Sequence, residues 1–70
     1  MCTIFSQMRT VIVKPICIYI QDYELSTFVY ADIHDGEDGT VTVGKYKNRD
    51  RAKEVLEEIF KSEYYEMPLE

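Results

Sequence analysis

Tryptophan is absent, and histidine occurs once, at His34. With a single imidazole, neither a histidine-rich metal site nor a serine triad is expected. Ser6, Ser26 and Ser62 also lack the strand–turn–helix setting of a nucleophile elbow. Cysteine is scarce: Cys2 and Cys17 come without a secretory signal, so they read as reduced thiols rather than a disulfide framework, Cys17 on a strand face. No apolar run is long enough to cross a bilayer, because the stretch from Val11 to Ile20 is interrupted by Lys14 and Pro15. These absences predict a cytoplasmic protein that is not an enzyme, has no cofactor and does not engage membranes. Basic charge is also in short supply. Eight Lys and Arg against thirteen Asp and Glu leave a net charge of −5, which argues against general nucleic-acid binding.

A chain of 70 residues makes one domain, expected to span 1–70. It buries roughly 60% of its unfolded surface, a marginal amount that small domains supplement with disulfides, metal or a second subunit. With the first two disfavoured, a homo-oligomer is expected. Six tyrosines and three phenylalanines suit such an interface, because tyrosine buries its ring and keeps a polar tip.

Residues 1–46 read as antiparallel strands. Cys2–Phe5 is a short strand, Ser6–Arg9 a polar turn, and Thr10–Lys14 a β-branched strand that Pro15 keeps out of uninterrupted pairing. Ile16, Ile18 and Ile20 alternate with Cys17, Tyr19 and Gln21, the period of two that marks one buried face. After a turn at Asp22–Leu25, Ser26–Ile33 places Val29, Ala31 and Ile33 on one face and Phe28 and Tyr30 on the other. Aromatics on that second face suggest that it too is covered. His34-Asp35-Gly36-Glu37-Asp38-Gly39 reads as a hairpin loop, with His34 solvated. Thr40–Tyr46 returns as a strand with Val41 and Val43 inward, and Gly44 inside it implies a bulge or a close backbone approach.

Residues 48–63 read as a helix. Ala52, Val55, Leu56, Ile59 and Phe60 fall on one apolar stripe, Asn48 is its N-cap, and Glu57 and Lys61 are ordered for an i,i+4 pair. Residues 64–70 read as a frayed tail ended by Pro68. The fold class implied is α+β: a four- to five-stranded antiparallel meander with one C-terminal amphipathic helix packed on it.

Two charged segments invite chemistry. Asp32, Asp35, Glu37 and Asp38 supply oxygens beside glycines, but their spacing fails the EF-hand pattern, so no metal is expected. Between Gly44 and Lys53, five bases fall within nine residues of an acidic chain, at the entry to the helix. Helix N-termini carry unpaired amides and partial positive charge that attract phosphate. Lys45, Lys47, Arg49 and Arg51 are candidate phosphate ligands, with Tyr46 placed to stack on a base. The same arginines can instead pair with Asp50, Glu54 or an acidic loop of another subunit.

Phe5-Ser6-Gln7, then Gly44-Lys45-Tyr46, then Arg51-Ala52-Lys53-Glu54-Val55-Leu56-Glu57-Glu58-Ile59 together resemble small uncharacterised proteins of Gram-positive bacteria and their phages. Those open with an Ile-Ser-Gln-Asp stretch and close with Gly-x-Tyr, Glu-Arg-Ala and Val-Leu-x-Glu-Ile. This chain departs from the pattern at Met8, where aspartate is frequent, and in its Asp-Gly-Glu-Asp-Gly loop. The resemblance implies mobile-element ancestry and, with it, a counter-defence protein that works by binding. The function expected first on that basis is sequestration of a phosphorylated nucleotide signal in a pocket formed by self-association; the alternative is inhibition of a host protein through the acidic loop and aromatic strand face. A structural module without a ligand is the third reading.

Overall fold

The computed structural model describes residues 2–33 and 39–70. The readings made for His34, Asp35, Gly36, Glu37 and Asp38 lie outside those residues. The fold is α+β. Strands β1 (Thr3–Phe5), β2 (Ile12–Val13), β3 (Cys17–Tyr23), β4 (Ser26–Asp32) and β5 (Thr40–Tyr46) precede helix α1 (Arg49–Phe60), and β6 (Tyr64–Glu66) follows it.

Of the four- to five-stranded meander expected over residues 1–46, three strands are there: β3, β4 and β5 form an antiparallel sheet in sequence order. Its β3–β4 hairpin turns on two residues, Glu24 and Leu25, with Tyr23 facing Ser26. Glu24 carries the positive φ, 56°, that a glycine would carry more cheaply at the first position of such a turn. The N-terminal strands leave the meander. They form a second sheet in the order β2-β1-β6, in which β6 runs parallel to β1 with Ile4 beside Tyr65.

The C-terminal segment is therefore not frayed. Thr3 N–H donates to Glu63 O (2.8 Å) and Met67 N–H to Phe5 O (3.0 Å), which extends the β1–β6 ladder at both ends. Met67 is fully buried. Three strand residues among glutamates leave almost no periodic signal, yet Tyr64-Tyr65 has the β-propensity of a strand, and the parallel partner supplies what the local sequence does not.

Helix α1 packs on the inner face of the β3–β5 sheet and against β6. Asn48 caps it as expected: its backbone is extended, and its side chain accepts from Arg51 N–H at 2.8 Å. The helix ends at Phe60, short of residue 63, with Lys61 N–H donating to Glu58 O (3.2 Å) and Ser62 N–H to Ile59 O (3.2 Å) in a tightened last turn. Its buried stripe is Ala52, Val55 and Ile59. Leu56 is half-buried, and Phe60, expected inward, is 90% exposed. At about 100° per residue, Phe60 lies about 100° round the helix from Ile59, and off the stripe's centre by a similar angle. Ile33 likewise sits at the exposed end of β4, and Ile16 is excluded from β3.

Gly44 fulfils both expectations made for it. The β4–β5 register shifts between Val29 and Tyr30, opposite Gly44 and Thr42, so Val43 is the extra residue of a bulge. A Cβ on Gly44 would lie 2.9 Å from both Met67 Cε and Tyr46 Cε2. Tyr46 folds its ring back over Gly44, and Met67 closes from the C-terminal segment. Gly44→Ala should cost about 1–3 kcal/mol in chemical denaturation, the usual penalty of overpacking. A loss within experimental error would mean that the ring and the methionine move aside freely.

Candidate functional site

The basic segment is brought together only in part. Lys45, Tyr46, Lys47 and Arg51 line a cleft of about 620 Å³ with Asn48, Asp50, Glu54, Leu69 and Glu70, whereas Arg49 is not on its wall. Arg49 turns to the β3–β4 hairpin, where its guanidinium meets Asp22 at 2.9 Å. Thr27 donates to the other Asp22 oxygen at 2.7 Å. That bond, followed by the Arg49 charge, holds the Asp22 carboxyl below its ordinary range. Arg51 reaches Glu54 (3.3 Å) and the Glu70 backbone oxygen (3.0 Å). Lys45 places its ammonium 5.8 Å from the centre of the Phe28 ring. Lys45, Arg49 and Arg51 thus have neighbours of their own, and acids share the cleft wall.

Tyr46 is not a stacking platform. Its ring is 3% exposed, and its hydroxyl donates to Pro68 O at 2.8 Å. Burial pushes its phenol up to about 12. Burial and the hydrogen bond to Glu58 also push the Tyr65 phenol up. The Cys2 thiol is raised by burial, which disfavours the reactive thiolate, while Cys17 lies exposed at the start of β3. Among the described residues no group of three or more His, Cys, Asp or Glu is placed to hold a metal ion. Among the described residues no helix is long and apolar enough to cross a membrane.

Ser6 and Gln7 serve the architecture. Ser6 Oγ accepts from the N–H groups of Thr10 and Val11, both at 3.2 Å, and so closes the β1–β2 turn. Gln7 pairs with the edge of β5: its N–H donates to Val43 O (2.7 Å), and its Oε1 accepts from Lys45 N–H (2.8 Å). Its Nε2 protons serve Lys45 O (3.1 Å), Pro68 O (3.1 Å) and Leu69 O (2.9 Å), which fastens the C-terminal segment to that edge.

The outer face of the β3–β5 sheet carries the larger feature. The period of two puts Tyr19 beside Tyr30 and Gln21 beside Phe28, with Lys45 next to Phe28 on β5. The rings form a chain: Tyr19–Tyr30 centroids 5.5 Å apart, Tyr30–Phe28 stacked at 5.9 Å, Phe28–Tyr23 edge-on at 6.3 Å. Tyr19, Phe28 and Tyr30 are half-buried and Tyr23 is exposed. The sequence placed Phe28 and Tyr30 here; Tyr19 and Tyr23 join them only because the hairpin register sets them alongside. A groove of about 830 Å³ opens elsewhere, walled by Lys14 and Ile18 on one side and by Leu56, Phe60 and Tyr64 on the other. Comparison with protein-family models, curated proteins and solved structures finds no match.

The Tyr46 hydroxyl gives a pH test. Its folded pKa lies above the ordinary tyrosine value of about 10, so the stabilisation it carries is complete below pH 10 and is lost as pH rises through about 12. The free energy of unfolding should decline across that window, with Tyr65 adding to the fall. Tyr46→Phe should flatten the decline while costing about 1 kcal/mol at neutral pH through the lost bond to Pro68. Absorbance titration showing all six tyrosines ionising together near the ordinary value would contradict the burial.

Proposed function

We propose that the protein is a non-catalytic binding protein that presents the outer face of its β3–β5 sheet to a protein partner, a host protein where the chain is phage-encoded. The run of rings Tyr23–Phe28–Tyr30–Tyr19 supports this reading. The helix lies against the other side of the sheet, so the rings stack on one another without a covering element among the described residues. Aromatic side chains of this kind supply most of the energy at protein interfaces, because they bury large areas at little cost in side-chain entropy. Lys45 beside Phe28 gives the face a cationic rim. Capture of a nucleotide signal is the second reading, supported by Lys45, Lys47 and Arg51 around the smaller cleft.

One comparison separates the two. Tyr19→Ala and Tyr30→Ala lie on the sheet face, and Arg51→Glu lies in the cleft. A host-lysate protein that is retained by the wild type and by Arg51→Glu but lost from folded Tyr19→Ala and Tyr30→Ala is the expected result. A thermal-shift screen over cyclic and linear nucleotides is expected to be flat. A nucleotide that raises the melting temperature of the wild type but not of Arg51→Glu would place the ligand in the cleft and overturn the preferred reading.

A further inference from the structure

We propose that a second copy of this chain adds to the open edge of β3, pairing antiparallel about a twofold axis to make one six-stranded sheet. Strand β3 lies at the end of its sheet, and among the described residues it pairs with β4 alone. The opposite edge, on β5, is already occupied by Gln7. Exposed edges are ordinarily protected by lysine, by an interior proline or by shortness. Residues 17–23 have little of this protection: the strand is seven residues long, Lys14 and Pro15 precede it, and its one charged side chain, Asp22, is engaged by Arg49 and Thr27. In a two-residue hairpin the closing pair, here Tyr23 and Ser26, is hydrogen-bonded. Ile18, Ile20 and Asp22 therefore turn their N–H and C=O groups to the open side.

The side chains identify the occupant. A base, Lys14, stands before the strand, and an acid, Glu24, stands beyond it; both are exposed, and neither is in an ion pair among the described residues. Such a strand is complementary to a second copy of itself in the antiparallel sense. With Tyr19 on the axis, Lys14 of each copy faces Glu24 of the other, Ile18 faces Ile20, and the two Tyr19 rings meet. Tyr19 is the terminal ring of the aromatic run, so the run continues across the junction from one copy to the next. The larger groove adjoins the same edge, since Lys14 and Ile18 form one of its walls. The pairing is tested apart from the proposed function, because Lys14 and Glu24 lie off the aromatic face, although Tyr19 belongs to both.

Charge reversal tests the register. By sedimentation equilibrium of the full chain at low salt, the wild type should be a dimer in the micromolar range. Lys14→Glu and Glu24→Lys, both at exposed positions, should each raise the dimer dissociation constant about tenfold, since each change turns two symmetric attractions into repulsions. The double variant should return to within about threefold of wild type. A wild type that stays monomeric at hundreds of micromolar would overturn the proposal. So would a dimer indifferent to the single reversals, or a double variant as weak as either of them.

Discussion

Met67 rests where Gly44 has no side chain, and the Tyr46 ring completes the same contact. This meeting of three residues joins parts of the chain that are otherwise far apart: the bulged strand β5, the entry to the helix and the end of the C-terminal segment. Gln7 fastens β5 to the C-terminal segment by hydrogen bonds to Val43, Lys45, Pro68 and Leu69. A short helix on a three-stranded sheet would leave the inner ends of β5 and α1 open. The returning strand β6 and Met67 close them, and with Ile4 they seal the core on the side away from the meander.

What the sequence made legible was local. Alternation in β3 and β4, the return strand β5 with its glycine bulge and the capped helix all follow from periods and turn or cap chemistry confined to about ten residues. Asn48 and Gly44 were readable because each has one backbone role that few residues fill. The sheet partition was not readable, since the choice of β6 as the parallel partner of β1 spans more than half the chain and leaves no local mark. Phe60 shows the limit of a stripe argument: apolar residues at the right spacing define a face wider than the surface available to cover it. Once the helix ends, its last aromatic is left outside.

The basic segment was legible as composition but not as geometry. Its charges are clustered in sequence, yet the strand-to-helix turn disperses them: Arg49 to the hairpin, Arg51 to Glu54 of the helix and the backbone oxygen of Glu70, Lys45 to an aromatic ring. Tyr46, read as a ligand-facing ring, is core because β5 presents alternate residues inward and the bulge resets which ones. The outer face gathers what inspection of single strands could not. Rings from two strands stand side by side only in the register fixed by the Glu24–Leu25 turn, and that register carries both the proposed binding face and the proposed edge pairing.

Closure by the C-terminal segment can be measured directly by native-state hydrogen exchange. The amide of Met67, bonded to Phe5 O, should be protected to nearly the same free energy as Val29 and Ala31 in the central strand, because opening the segment exposes the core. Exchange of Met67 at the rate of an unstructured peptide, with β4 still protected, would contradict this account and return the segment to the status of a tail.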